Sequence, residues 1–291
     1  MMNTGNKELI LLVGPQGSGK TTLAKKLMQG HAYVNQDLQG KDGHLKFFNQ
    51  CLEEGVSIIV DRINHNKGQR ARYLQPAKEK GYTTKIIVVH VPKQEAYNRA
   101  CARKDHPNIK DAHTAAVALS FFFAQYERVE DGEADVVERL GWDKDYKAKA
   151  IIVDLDGTLC NIEHRLSTLK GPRKDWKRFF AGIPHDSVDN AVKAVLDGLR
   201  ATHNIILCSG RPDTYRPETE QWLKDQGIQY DRLFMRQRND QRQDNIVKQI
   251  ILDYDIKPDY DILFALDDRN SVCKMWRQNG IKCLQVAEGD F

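Results

Sequence analysis

No run of eighteen or more apolar residues occurs in the 291 residues, so the sequence offers no membrane-spanning helix. The opening stretch, MMNTGNKELILLVG, lacks a basic segment followed by a small-residue cleavage site. Its apolar run reads as a buried strand rather than a secretion signal. Cysteine is sparse: six residues, at 51, 101, 160, 208, 273 and 283, with no C-x-x-C pair. Reduced thiols in a cytoplasmic protein fit that scatter better than a disulfide framework or a zinc site. Internal repeats and low-complexity segments are missing too. With 41% hydrophobic residues over this length, two ordinary domains with a core each are expected.

Charge is nearly balanced at +4 overall, yet unevenly spread. Residues 1–148 hold 22 basic and 18 acidic side chains, and residues 149–291 hold 22 of each. Within 62–110 there are twelve Lys/Arg and three Asp/Glu. That excess suits a polyanionic partner. A solvated basic face carrying ATP-contacting arginines explains it equally well.

The first half alternates short Val/Ile-rich runs with helical patterns. ELILLV (8–13), VSIIVD (56–61) and KIIVVHV (85–91) read as strands, with a further short one before Asp37. Helical patterns cover 43–54, 67–80 (interrupted by Pro76), 94–104 and 111–128. Continuous apolar runs indicate strands buried on both faces of a parallel sheet. GWDKDYKAK (141–149) reads as a linker after an acidic stretch, so the expected domains are 1–142 and 149–291. In the second half AIIVDLD, NIILCSG, YDRLFM and DILFALDD read as strands, separated by helices near 189–202, 216–226, 244–255 and 270–279. The fold class expected is α/β: two doubly wound parallel-sheet domains with their chemistry at the carboxyl ends of strands.

GPQGSGKT (14–21) fits G-x-x-x-x-G-K-[ST] between a strand and a helix. Its backbone N–H groups and the helix N-terminus suit phosphate oxygens. Lys20 would reach the β- and γ-phosphates, and the Thr21 hydroxyl would bind Mg²⁺. Asp37, in YVNQD (33–37), is a candidate base for an acceptor hydroxyl, or else a loop or capping aspartate. In NRACARK (98–104), Arg99 and Arg103 stand four apart and would share a helical face at the γ-phosphate. Asp61 and Arg70 follow a strand end, Asp61 as a possible indirect metal contact and Arg70 facing substrate.

DLDGT (154–158) closes an apolar strand in the second half. There Asp154 would attack phosphorus to form an aspartyl-phosphate, and Asp156 would protonate the leaving oxygen and then activate water. Two carboxylates beside a phosphate dianion call for Mg²⁺. Ser209 and Arg211 in LCSGRP would hold phosphate oxygens, Lys248 would neutralise the intermediate, and Asp267 and Asp268 in LDD would coordinate the metal.

These four elements, in this order at four strand ends, resemble the haloacid-dehalogenase-like phosphatases. With the P-loop half, nearly the whole chain resembles the phage-type bifunctional polynucleotide 5′-kinase/3′-phosphatases. GPQGSGKT, NQD, NRACARK, DLDGT, SGR, DNIVK and LDDR fall in that family's order, as does the ending LDDRNSVCKMWRQNGIKCLQVAEGDF. The resemblance implies ATP at Gly14, Gly17, Ser18, Gly19, Lys20, Thr21 and Thr22, with Arg99 and Arg103 at its phosphates. Asp37 is then the general base. In the phosphatase it implies Asp154 as nucleophile and Asp156 as general acid–base. Arg165, Ser209, Gly210, Arg211 and Asp244 are implied for substrate, Lys248 for catalysis, and Thr21, Asp154, Asp156, Asp267 and Asp268 for metal.

Two positions depart from relatives: Gly40 stands where an arginine is common, and Ile63 where a threonine is usual. The expected function is healing of RNA or DNA ends, with ATP and Mg²⁺. One device would phosphorylate 5′-hydroxyl ends and the other remove 3′-phosphates, making ends a ligase can join. A homo-oligomer is implied by the resemblance. The alternatives are a small-molecule kinase fused to a metabolic phosphatase, and an ATP-driven switch module.

Overall fold

Five consecutive residues of the first strand, β1 (Glu8–Val13), are buried from Leu9 onward, which requires packing on both faces of the sheet. The computed structural model describes residues 7–103, 109, 111–141, 147–170 and 173–289. These fall into two units, 1–144 and 145–291.

In the first unit β1 leads to α1 (Lys20–Leu27), β2 (Ala32–Asn35), α2 (Gln36–Gln39), α3 (Gly43–Glu54) and β3 (Ile58–Asp61). Then come α4 (Lys67–Glu79), β4 (Thr83–Val89), α5 (Lys93–Cys101), α6 (Ala112–Gln125) and β5 (Val136–Leu140). The sheet is parallel throughout, in the order β2-β3-β1-β4-β5. β1 is central, with β3 on one side and β4 on the other. Strand order therefore reverses at β1, and the P-loop leaves its carboxyl end. Open α/β sheets bind ligands at such a point.

The second unit repeats the plan with different contents. β6 (Ala148–Val153) is followed by β7 (Cys160–Asn161), α7 (Glu163–Leu166), α8 (Trp176–Ala181), β8 (Ser187–Val188) and α9 (Asn190–Leu199). β9 (Asn204–Pro212), α10 (Arg216–Asp225), β10 (Arg232–Arg236), α11 (Asp244–Ile251), β11 (Tyr260–Arg269), α12 (Asn270–Gln278) and β12 (Cys283–Gly289) complete it. The parallel order is β10-β9-β6-β11-β12, and β7 and β8 form a small antiparallel pair.

Alternation along β6 builds two cores. Ile151 and Val153 pack with Val192 and Leu196 of α9 and Trp222 and Leu223 of α10. Ala150 and Ile152 pack with Val247 and Ile251 of α11 and Trp276 of α12. Helices thus cover both sheet faces, the doubly wound arrangement expected.

Several elements differ from the sequence expectation. β5 lies in the stretch read as acidic and pre-linker: VVERL is half-exposed at a sheet edge and has no apolar run or alternation, with Glu138 paired to Lys85 at 2.7 Å. β12 is likewise an edge strand with mostly exposed residues. α4 runs unbroken through Pro76. α5 stops at Cys101, so Arg103 lies beyond the helix and does not share a helical face with Arg99.

Arg70 is a correction. It is completely buried, and its Nε and Nη2 donate to the two carboxylate oxygens of Glu133 at 2.7 and 2.9 Å. Nη1 donates to the Glu127 carbonyl at 3.0 Å. This bidentate pair ties α4 to the segment that feeds β5; it faces no substrate. Arg70→Ala would leave Glu133 buried and unpaired, and is expected to destabilise the first unit by about 3–5 kcal/mol. Urea denaturation followed by Trp-independent far-UV circular dichroism, against Arg70→Lys, measures this.

Candidate active sites

The first site is built on the turn between β1 and α1. Gly17 adopts φ 78°, and a Cβ there would collide with the carbonyl of Ala96 in α5. Only glycine lets the loop seat against that helix. Lys20, the first residue of α1, is 7% exposed and donates from Nζ to the Pro15 carbonyl at 2.7 Å and to Ser18 Oγ at 3.4 Å. Burial lowers its ammonium to about 8, against the opposing pull of Asp61. The amine is thus docked on the loop's own oxygens, near the place where phosphate oxygens would sit.

Two clefts flank this loop. One, of about 360 Å³, is lined by Lys20, Thr21, Asn35, Asp37, Asp61, Arg62, Ile63 and Arg103 among others. The other, of about 410 Å³, is lined by Gly17, Gly19, Thr22, Leu23, Lys26, Arg99 and Arg103. Arg103 faces both. Arg99 lines only the second and pairs with Glu95 one turn before it.

The chain from β2 into α2 presents Asp37 to the first cleft. Asn35 caps α2, its Oδ1 accepting from the backbone N–H of Asp37 at 2.8 Å and of Leu38 at 3.2 Å. Its Nδ2 donates to Asp61 Oδ2 at 3.2 Å, which also accepts from the Tyr33 hydroxyl at 2.7 Å. Asp61 therefore anchors the cap that orients Asp37, a role the sequence did not reveal. Gly40 ends α2 and lines neither cleft, whereas Ile63 lines the first.

In the second unit, Asp154, Asp267 and Asp268 bring carboxylate oxygens within 4.8 Å of one another. They sit at the ends of the neighbouring strands β6 and β11. Gly157, at φ 86°, permits this, because a Cβ there would strike the Asp268 carboxylate. Lys248, 1% exposed, donates from Nζ to Asp154 Oδ1 at 2.6 Å and to Asp267 Oδ2 at 2.9 Å, and lies 3.4 Å from Asp244. Trp276 Nε1 donates to Asp267 Oδ2 at 3.1 Å. Burial pushes the Asp154 carboxyl well up, against Lys248. Burial, reinforced by Asp267, pushes Asp268 up to about 6. One buried cation does not balance this many carboxylates, and three hard oxygens this close fit a divalent ion such as Mg²⁺.

A second network stands beside it. Arg211 donates from Nε and Nη2 to the two oxygens of Asp156 at 2.9 and 2.6 Å. Arg165 Nη2 bonds Asp156 as well, and Arg165 grips Asp186 at 2.7 and 2.6 Å. Arg211 Nη2 reaches Asp186 at 3.0 Å. Although burial alone would raise it, the two guanidiniums hold Asp156 down at about 2.

Residues 148–291 match the family model described as the polynucleotide kinase PNKP phosphatase domain. The second unit belongs to this family. Residues 35–122 of the first unit match a model described as an AAA domain. A baculovirus protein (Autographa californica nuclear polyhedrosis virus), provisionally named a bifunctional polynucleotide kinase/RNA ligase, is 24% identical over 94% of this chain and 41% of its own length. A mimivirus protein (Acanthamoeba polyphaga), provisionally named a bifunctional polynucleotide phosphatase/kinase, is 28% identical over 42% of this chain and 31% of its own. The chain thus spans less than half the length of these curated relatives. Among solved structures, one chain from the Pnkp1/Rnl/Hen1 RNA repair complex aligns over 100% of this chain and 99% of its own, at 25% identity and TM-score 0.45.

In the PNKP phosphatase domain the residues singled out from sequence converge, with one correction. The Asp156 carboxylate does not belong to the metal-competent cluster among the described residues: it is engaged by Arg165 and Arg211 instead. Ser209 is buried and its Oγ accepts from the Arg211 N–H at 3.2 Å. Gly210 offers its carbonyl to Arg236 Nε at 2.8 Å, and Arg236 also reaches Asp244 at 3.2 Å. Asp186 and Arg236 were missed. Asp186 lies in IPHDSV with no motif around it, and Arg236 in MRQRND, where nothing singles it out from Arg238.

Two outcomes follow. Lys20 must be charged to hold a triphosphate, so log affinity for ATP should fall as pH rises through about 8, with the slope lost in Lys20→Met; calorimetric titration between pH 7 and 9.5 reads it. Mg²⁺ at a hundredfold excess over its Kd should stabilise the phosphatase domain by about 2.7 kcal/mol, and Asp268→Asn should shrink that gain in thermal melts.

Proposed function

We propose that the chain heals broken nucleic-acid ends, transferring the ATP γ-phosphoryl group to a 5′-hydroxyl in the first unit and hydrolysing a 3′-phosphate in the second. The observation that carries this is the pairing of Asp154, fixed by Lys248 and 5% exposed, with Asp156, gripped by two arginines, inside a PNKP phosphatase domain. A P-loop with an aspartate across its cleft supports the other half. The mimivirus relative's name combines the same two activities, the baculovirus relative's name pairs the kinase with an RNA ligase, and the basic 62–110 segment suits a polyanion.

In the kinase half ATP is bound by the loop at Gly14–Thr22, with Thr21 the residue that would hold Mg²⁺. Asp37 accepts the proton of the 5′-hydroxyl as the hydroxyl oxygen attacks the γ-phosphorus, the bond from that phosphorus to the β–γ bridging oxygen breaks, and ADP leaves. Arg103, facing both clefts, neutralises charge on the transferring group, with Arg99 on the nucleotide side.

In the phosphatase half Asp154, Asp267 and Asp268 would hold Mg²⁺, which when bound offsets charge between carboxylates and phosphate. Lys248 engages Asp154 Oδ1, leaving Oδ2 to attack phosphorus. The P–O3′ bond breaks, and O3′ takes a proton from Asp156. Water then attacks the aspartyl-phosphate, Asp156 takes its proton, and the P–Oδ2 bond breaks to restore Asp154. Asp156 is ionised while both guanidiniums grip it. A phosphate dianion competes for Arg165 and Arg211, and as they turn to it Asp156 takes up a proton from solvent. The arginines thus hold substrate and set the protonation of the acid together.

The substrate is RNA or DNA, and the product is an end for a nucleic-acid ligase. The six free cysteines suit a reducing cytoplasm. Asp154→Asn should lower 3′-phosphate release at least ~10³-fold and spare 5′-phosphorylation. Asp37→Asn should lower 5′-phosphorylation by about 10²–10⁴-fold and spare phosphate release. Labelled-phosphate transfer to 5′-hydroxyl oligonucleotides and phosphate release from 3′-phosphorylated ones read both. Loss of both reactions in either folded variant would exclude two independent sites.

A further inference from the structure

The segment joining α7 to β8 carries a feature that the chemistry above leaves unused. Trp176, the first residue of α8, is 47% exposed although the rings behind it, Phe179 and Phe180, are 3% and 8% exposed. Its ring stacks on Phe180 at 5.9 Å and 23°, and Phe180 lies 4.6 Å from Tyr215. Around it Arg173, Lys174, Lys177 and Arg178 are all exposed. Lys174 Nζ lies 5.7 Å from the tryptophan ring. The acid among them, Asp175, caps α8 through the Arg178 N–H at 2.9 Å. The same helix abuts the phosphatase site: Phe179 offers its carbonyl to Arg165 Nη1 at 3.4 Å and its ring lies 4.1 Å from the Arg165 guanidinium.

We propose that this surface is a platform for the single-stranded polynucleotide leading to the 3′-phosphate, one base stacking on Trp176 while Arg173, Lys174 and Lys177 track its backbone. This rests on the phosphatase reading above. A flat exposed ring amid cations is the combination that binds single strands irrespective of sequence. An acidic peptide would satisfy the charge but gives no use for a half-exposed indole. The platform reaches Arg165 through Phe179, so a strand seated on it ends near the arginine that handles phosphate. The enzyme would therefore select polynucleotides over 3′-mononucleotides through residues that never touch the scissile phosphate.

The test compares kcat/KM for a 3′-phosphorylated oligonucleotide of about eight residues with that for a 3′-mononucleotide. Stacking of one base is worth roughly 5- to 150-fold. Trp176→Ala is expected to lose about tenfold on the oligonucleotide and less than twofold on the mononucleotide, with 5′-phosphorylation unchanged. Trp176→Phe should recover most of the loss. Lys174→Glu with Lys177→Glu, which keeps the ring, should show the same selective loss and a weaker salt dependence. Equal losses on both substrates, or none on the oligonucleotide, overturn the platform while the end-healing function stands. A wild-type protein inert on every 3′-phosphorylated end overturns that function instead, and the platform with it.

Discussion

One buried ammonium organises the second domain. Lys248 sits among Asp154, Asp244 and Asp267, contacts drawn from three separate elements. Burial opposes the charges of both Lys248 and Asp154, yet the carboxylates around it hold the lysine charged, and the lysine pulls Asp154 back against its burial. Such a cluster is tolerable only if its members compensate one another. The geometry of the nucleophile is therefore inseparable from the position of α11, which carries Lys248, and of β11, which carries Asp267 and Asp268.

The same logic separates the two aspartates of DLDGT. Asp154 and Asp156 lie two residues apart, yet burial drives one up while two guanidiniums drive the other down. Two carboxylates whose environments pull in opposite directions can take different parts in one reaction. The pair Arg165–Asp186 braces that difference from the segment after β7. The first domain uses a quieter version: Asp61 holds Asn35, Asn35 caps α2, and α2 offers Asp37. In each domain the chemistry leaves the central strand where strand order reverses.

Much of this was legible beforehand. Continuous runs such as LILLV and IIVD announce buried parallel strands, and GPQGSGKT and DLDGT are dense enough to signal phosphate chemistry alone. Edge strands were harder, because VVERL and CLQVAEG stay partly or largely exposed, carry no continuous apolar run and resemble loops. Lone residues were hardest. Arg70 looked like a substrate contact because a basic residue after a strand end has no visible partner in sequence; its partner, Glu133, lies 63 residues away. Asp186 and Arg236 carried no local pattern at all.

By itself the sequence determined the alternation of strands and helices, the two phosphate motifs and the residue types able to act there, because these depend on local spacing and hydrophobic period. Tertiary structure alone decided which charges meet. It drew Asp156 away from Asp154, Asp267 and Asp268 and gave it to Arg165 and Arg211, and it placed Arg103 on both sides of the loop. Electrostatic partnership depends on distance and burial in space, and residues far apart in sequence acquire both only when the sheets close.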